Sequence, residues 1–482
     1  MDPWPTSKRS SLFAFALAIG SLLLRYGDGL SAFAQVPTQD TPAALTLEQV
    51  VEAARSHYPG IQAAQAQQRA AEGAIKVAKT AYLPRTDVLW QTNRATANNI
   101  LGLLLPQAVI PSVTGPVLPS DPGRSAWNSA GGALLSWQPF DFGVRGAKVE
   151  VARQGNEAAK QAAALTELQI CANAGSAFFD LAAAQQLAVV AQANVRRYEA
   201  FDKVVRVLVD NSLRPGADAS QADAQLALAR NQLILVQTQV TVRRSALAEY
   251  LQTTQAQAEI DASKLLRSPP PANLQTTTAV SHPAVLEEHA LTLQQEAQKR
   301  VLERSYFPVF STSGMVFGRG AGTNASGSFP GGTAGLAPNV FNWGAGIQVS
   351  FAAFDFFTLR DQSKVQEANV EAEQARYHQS INDVTAALRQ AQAELDGARK
   401  LAANTPIELA AAQTSEQQQQ VRYRSGLATV VDVSAAEAVL TQAEVDDAIA
   451  RLGIWRAELG VAAAQGDLEP FLQMLKSQAK GQ

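Results

Sequence analysis

The 482-residue sequence predicts a mainly α-helical chain with a smaller β component. Long antiparallel helical hairpins call for coiled-coil or tubular packing, four strands per chain go into a barrel shared between copies, and the whole plan is internally duplicated. Three observations predict it. A helix-to-helix bend occurs twice: Asn211–Asp223 aligns without a gap on Ser425–Glu437, placing Leu213 on Leu427, Asp218 on Asp432 and Ser220 on Ser434, each pair 214 residues apart. Two Ala-, Gln- and Glu-rich segments, 144–209 and 359–423, would each extend about 100 Å as helices, which calls for coiled-coil or tubular packing. Two inserts between helical segments, 85–139 and 309–353, turn abruptly to Gly, Pro, Ser, Thr and aromatics with period-2 alternation.

The amino terminus is a targeting segment. Lys8 and Arg9 precede an apolar run from Leu12 to Leu24, and Ala32-Phe33-Ala34 forms a cleavage site before Gln35, giving a signal peptide over 1–34. The run is shorter than the roughly 20 residues of a membrane helix, and Arg25 and Asp28 follow at once. No cysteine lies near the cleavage site to carry a lipid. No later segment reads as a membrane helix, so entry into a membrane would have to be by strands.

The first repeat spans 35–267. Thr46 is the N-cap expected for helical segments over 46–81, which pause at Tyr58-Pro59 and stop at Tyr82-Leu83-Pro84. Strands and a loop occupy 85–139, and a helical hairpin 144–253. A stiff linker, 268–280, carries Ser268-Pro-Pro-Pro271. The second repeat, 281–466, has a helix over 283–305, strands and loop over 309–353, and a hairpin over 359–465. A C-terminal tail, 467–482, follows and is expected to be polar and to fray from Gln473. Pro59 to Pro84 and Pro283 to Pro308 are both 25 apart. At these landmarks the halves are offset by 224, ten more than at the bends, so the second insert is the shorter.

The clearest strand runs from Phe341 to Phe351: Phe341, Trp343, Ala345, Ile347, Val349 and Phe351 share one face. Its counterpart runs from Trp127 to Trp137, aromatic at both ends of one face. Ten residues at about 3.3 Å, tilted near 45°, reach about 23 Å, close to the apolar band of an outer-membrane barrel with its aromatic girdles. A half-buried strand of a soluble sheet shares the alternation. Two such strands in a secreted chain, with Trp or Phe at both ends, favour the barrel. Incoming strands are placed near Thr86–Arg94 and Val309–Phe317, and connecting tips near Ala95–Ala126 and Gly318–Val340. Four strands cannot close a barrel, and open edges are forbidden in lipid, so copies of the chain must pool them.

At the bends, Gly426 and Pro215-Gly216 supply the freedom or fixed φ that ends a helix. Asp218 and Asp432 open the next helix, where a carboxylate suits orphan N–H groups and the positive dipole end. A lumenal role for the same carboxylates is equally compatible. Beyond the first bend, Leu226, Ala229, Leu233, Val236, Val240 and Leu247 form a seven-residue seam, matched by Leu440, Ala443, Asp447, Ala450 and Ile454.

Other function classes find little support. A net charge of −3, from 40 basic and 43 acidic residues, offers no electrostatic case for nucleic acid. Cys171 is the only cysteine, so there is no disulfide framework or thiol metal site. The four histidines are unclustered, and no nucleophile elbow, phosphate loop or metal spacing occurs. No enzyme activity, cofactor or metal is expected.

The duplicated plan, the helix ends Tyr82–Pro84 and Tyr306–Pro308, the strand exits Phe140-Asp-Phe142 and Phe354-Asp-Phe356, and Tyr423-Arg-Ser-Gly-Leu-Ala-Thr-Val-Val-Asp432 resemble the TolC family. These are outer-membrane channels, the exit ducts of tripartite efflux pumps and type I secretion systems. The resemblance covers essentially the whole mature chain. It implies a homotrimer in outer-membrane lipid, with twelve pooled strands above a twelve-helix periplasmic tunnel. It also implies a periplasmic adaptor and an inner-membrane RND or ABC transporter as partners. Family tips dock the adaptor through a Gly-Leu turn, matched by Gly426-Leu427 in the second bend and Ser212-Leu213 in the first. A closed tip is tied by a Tyr and an Arg of the second bend to an Asp of the first. Tyr423 and Asp218 match, but the Arg position is Ala428, so the latch should be weaker or built otherwise. Of two constriction carboxylates, Asp432 matches the first and Ala435 replaces the second, leaving one ring of three carboxylates attractive to cations. Trp127, Trp137, Phe341, Trp343 and Phe351 would form the lipid-facing girdles. The rival reading is a secreted coiled-coil adaptor or scaffold without a pore.

Overall fold

The computed structural model describes residues 44–96, 105, 107–110, 125–253, 258–267, 270, 279–324, 328, 330–351 and 354–480. The signal peptide 1–34, most of the first tip and most of the linker 268–280 lie outside the described residues. In chain order the elements are α1 (Leu47–His57), α2 (Pro59–Thr80), β1 (Arg85–Thr96), β2 (Ser125–Phe140), α3 (Val144–Asp210) and α4 (Gly216–Leu251). There follow α5 (Ser263–Arg267), α6 (Pro283–Arg304), β3 (Val309–Ala321), β4 (Val340–Ser350), α7 (Asp355–Arg424), α8 (Val430–Gln465) and α9 (Glu469–Lys480).

Local chemistry sets the helix boundaries. Thr46 caps α1 in a capping box: the Gln49 N–H donates to its hydroxyl, and the Thr46 N–H donates to the Gln49 side chain at 2.9 Å. Tyr58 is extended, and Pro59 begins α2 where a missing N–H costs nothing. Pro283 does the same for α6. The two long helices have 67 and 70 residues, so α3 and α7 each extend about 100 Å. α3 packs along α4 and α6, and α7 along α8.

The seven-residue seam lies where the spacing puts it. Leu226 and Ala229 of α4 pack against Val195 and Tyr198 of α3, and Leu440 and Ala443 of α8 against Ala412 of α7. Asp447 interrupts the second seam yet is buried, because the Thr405 hydroxyl donates to it at 3.3 Å and Arg451 pairs with it at 2.6 Å.

The main core joins both halves. Val50, Val51 and Ala54 of α1, Phe178, Phe179 and Leu181 of α3, Leu247 of α4, and Trp455 and Leu459 of α8 are all buried together. Three sequence expectations are corrected here. The tail does not fray from Gln473: α9 continues to Lys480 and Leu475 packs into this core after Phe471 and Leu472, with Phe471 edge-on to Trp455 at 6.5 Å. One later helix, α3, does hold a stretch long and apolar enough to cross a membrane, but nearly half of that stretch is buried in the fold. Third, the second tip is shorter than Gly318–Val340, since β3 continues to Ala321 and Arg319 still pairs with Val340.

The four strands form one antiparallel sheet in the order β1-β2-β3-β4. The register is continuous except for an irregularity between Trp137 and Phe140. β1 and β4 are the two edges.

Candidate functional site

Because paired residues share a face, the register sorts every side chain of the sheet. Trp90 pairs with Gly131 and Val88 with Ala133; Ala133 pairs with Val316, and Val316 with Trp343. Thr312 links Trp137 to Ile347, and Gly318 lies beside Phe341. One face therefore carries Val88, Trp90, Trp127, Leu135, Trp137, Val316, Phe341, Trp343, Ile347 and Val349. Trp343 is 80% exposed and Ile347 81%, whereas large apolar side chains in water are normally covered. Phe351, just past β4, is exposed too, and Trp127 is half-buried beneath the Arg94 guanidinium, 5.6 Å from its ring. The other face holds Asp87, Gln91, Asn93, Asn128, Ser136, Ser313, Arg319, Asn342 and Gln348. Trp90 was missed at the sequence level because the residues around it alternate poorly, though Val88-Leu-Trp90 was there to find.

The strand exits explain two motifs. Asp141 accepts from the N–H groups of Gly143 and Arg145 and pairs with the Arg145 guanidinium at 2.8 Å, with both side chains buried. Arg145 in turn donates to the Ala81 carbonyl and lies 4.8 Å over the Tyr82 ring. The Trp137 indole donates to the Tyr82 carbonyl at 3.0 Å. Phe140, Phe142, Phe307 and Phe310 cluster beside this joint. Phe-Asp-Phe and Tyr-x-Pro are thus two sides of one rigid connection between sheet and helices.

At the opposite end, the two bends are built alike. Leu213 donates its N–H to the Leu208 carbonyl, and Leu427 to that of Arg422, both at 2.8 Å, the signature of a Schellman turn. The left-handed residue is Gly426 in the second bend (φ 80°) and Ser212 in the first (φ 59°). The freedom assigned to Pro215-Gly216 is therefore used elsewhere: Pro215 is the extended N-cap and Gly216 opens α4. Leu213 and Leu427 project at 68% and 70% exposure.

The two aspartates part company. Asp432 closes a capping box at the start of α8, accepting from the Thr429 N–H and hydroxyl, both at 2.8 Å. These bonds hold its carboxyl below the usual carboxylate range. Asp218 caps nothing and instead accepts from the Tyr423 hydroxyl at 3.3 Å. Tyr423 is buried against Phe201, 5.2 Å between ring centroids, and burial followed by the nearby Asp218 charge raises its phenol pKa. Arg214 of the first bend completes the contact. Its guanidinium donates to the carbonyls of Tyr423 at 2.8 Å and Ala428 at 3.0 Å, and lies 4.5 Å over the Tyr423 ring. The sequence expectation left the arginine position of this latch vacant at Ala428, and Arg214 was missed because its partners are some 210 residues away. Among the described residues, no group of acidic, His or Cys side chains could hold a metal ion.

A scan of protein families matches the outer membrane efflux protein model over residues 50–253 and 277–467. The chain belongs to the outer membrane efflux protein family. This is a family of outer-membrane channels rather than enzymes. No curated protein matches the chain significantly. Solved structures share the fold of this family member across most of its length. CusC, described in terms of transmembrane channel formation, has 15% identity and a TM-score of 0.73, covering 91% of this chain and 96% of that one. The Campylobacter jejuni CmeC outer membrane channel has 15% identity and a TM-score of 0.72, covering 93% and 94%. The outer-membrane channel OprN has 19% identity and a TM-score of 0.70, covering 87% and 89%. As an efflux protein, the chain is mainly helical with one four-stranded antiparallel sheet, as expected.

Proposed function

We propose that this efflux-family chain is a passive outer-membrane exit duct of a tripartite efflux pump or type I secretion system. The observation that carries the reading is the band of exposed apolar side chains that all four strands place on one sheet face, with Asp87, Gln91, Asn342 and Gln348 on the other, at one end of two helical hairpins. That arrangement suits lipid outside and water inside, once three copies join β4 of one to β1 of the next and leave no edge. Trp127, Trp137, Phe341, Trp343 and Phe351 are then the membrane girdles.

In the same reading, the exposed turns Ser212-Leu213 and Gly426-Leu427 dock a periplasmic adaptor, and an inner-membrane RND or ABC transporter supplies the energy. Asp218, Tyr423 and Asp432 border the constriction. The test is expression of the full chain with its leader, followed by fractionation, crosslinking and planar-bilayer recording. A detergent-requiring trimer in the outer membrane with ohmic, water-filled conductance is expected. A monomer that stays dissolved in plain buffer overturns the duct and leaves the scaffold reading.

A further inference from the structure

The alignment of the two halves places three more pairs 214 residues apart: Asp202 on Glu416, Arg206 on Gln420 and Asp223 on Glu437. Both sets meet in space. On α3, Arg206 pairs with Asp202 at 2.9 Å and reaches Asp223 on α4. One guanidinium thus sits between two carboxylates. In the second half Gln420 takes the arginine's place, and its Nε2 donates to Glu416 and, at 3.5 Å, to Glu437. The amide bridges the same two acids without bringing charge.

The surroundings sharpen the difference. The Asp223 side chain is 49% exposed, whereas that of Glu437 is 0% exposed. Glu437 lies among three helices. From α3 come Arg197, which pairs with Glu437 at 2.8 Å, and Tyr198, whose hydroxyl donates to the Ser434 carbonyl. From α7 comes Gln420, whose amide spans Glu416 and Glu437. From α8 come Thr441 and Glu444, both of which already accept from Arg197. The Arg197 guanidinium pairs with Glu437 and Glu444 and leaves Glu416 to the neutral amide of Gln420, where in the first half Arg206 meets both of the aligned acids. A single bound proton restores the balance.

We propose that the Glu416–Glu437 pair is a proton-binding site, occupied while α3, α7 and α8 are packed together and emptied when they separate. A proton lets one carboxyl donate to the other in place of repulsion between two carboxylates in a dry site. Burial, with Glu416 adding and Arg197 opposing, pushes Glu437 up to about 7. An unfolded glutamate releases its proton near about 4.3, so the packed joint holds the extra proton from there to about 7. Rising pH through that window progressively penalises the packed state. The joint is tightest in mild acid. Its effect on opening of the second tip rests on the duct reading above; proton binding itself does not.

The full-length, detergent-purified protein tests this by infrared difference titration. Wild type is expected to lose a protonated-carboxyl band as pH passes about 7. Glu416→Gln, which removes the neighbouring charge, and Gln420→Arg, which restores the first-half chemistry, should both move its loss to lower pH. Amide hydrogen exchange over 412–440, corrected for intrinsic rates, should rise by roughly a hundredfold in wild type between about pH 5 and 8 and by much less in both variants. Unchanged protection of the α1 and α3 core amides checks that the variants fold. A wild type without such a band, or a band lost at the wild-type pH in either folded variant, overturns the proposal.

Discussion

Arg214 and Ala428 stand at the same position of the two bends, 214 residues apart, and the guanidinium of the first donates to the carbonyl of the second at 3.0 Å. The contact joins the bends through backbone acceptors, so it depends on the arginine's planar fork and not on any side chain at 428. Around it, the Tyr423 hydroxyl and Asp218 close a second link between the same bends.

Arg214→Ala removes two charged hydrogen bonds and the stacking on Tyr423 from a half-buried position. A loss of about 1–3 kcal/mol in the link between bends is expected. It is read as about 5- to 150-fold faster amide exchange across 423–430, with α3–α4 core amides unchanged. Arg214→Lys should recover only part, because one ammonium cannot span both carbonyls as a planar fork does. Equal protection in Arg214→Ala and wild type would show that Tyr423 and Asp218 hold the bends unaided.

Ser212 adopts the left-handed conformation that Gly426 adopts in the other bend. A side chain costs about 1 kcal/mol or more there, and glycine costs some unfolded-state entropy. Ser212→Gly should therefore stabilise the first bend by about 0.5–1 kcal/mol, and Gly426→Ser should destabilise the second by a similar amount. Hydrogen exchange over 208–218 and 422–432 measures both, and an unstabilised Ser212→Gly would mean the serine is not strained.

The features legible in the sequence are those set by short-range chemistry. Thr46, Pro59 and Pro283 mark helix starts through groups within a few residues, and the Trp127 and Phe341 faces follow from strict alternation. The bends were legible because two copies could be compared. Residues acting across the fold were not. Arg214 lies in a bend whose partner is some 210 residues on, and Gln420 stands in a run of four glutamines that gives no sign of the acidic partners it meets in the fold. The α9 helix was overlooked although Leu468, Phe471, Leu472 and Leu475 are spaced for one helical face, because a short polar-looking terminus carries no partner of its own in sequence.

Asp432 carries a charge and a cap at once, and the two can be separated. Asp432→Asn keeps an acceptor for Thr429 and removes the charge, whereas Asp432→Ala loses both. If Asp432 borders the lumen, Asn and Ala should lower cation selectivity equally in planar bilayers, with Ala alone costing about 1 kcal/mol of helix-start stability. The wild-type carboxyl is held below the usual range by its Thr429 bonds, so selectivity should persist as pH falls past ordinary carboxylate values and vanish only below them. Unchanged ion preference in Asp432→Asn would take the residue out of the lumen.

The alternation of β4 makes neighbouring positions chemically opposite, which gives the lipid reading its sharpest test. Trp343 and Ile347 lie on the apolar face and Asn342 and Gln348 on the polar one, within a single edge strand. A lysine at Ile347 would put an ammonium against hydrocarbon, at a cost of about 2–4 kcal/mol near the midplane. A lysine at Gln348 would meet water. Ile347→Lys is therefore expected to deplete folded protein in the outer membrane and Gln348→Lys to leave it near wild-type level, as judged by fractionation and resistance of the assembled band to detergent. Both substitutions place the same residue on the same exposed strand of a single chain, so β-propensity and edge effects cancel between them. Equal tolerance of the two lysines would mean that the apolar face meets water or protein, and the strands would then belong to a soluble assembly.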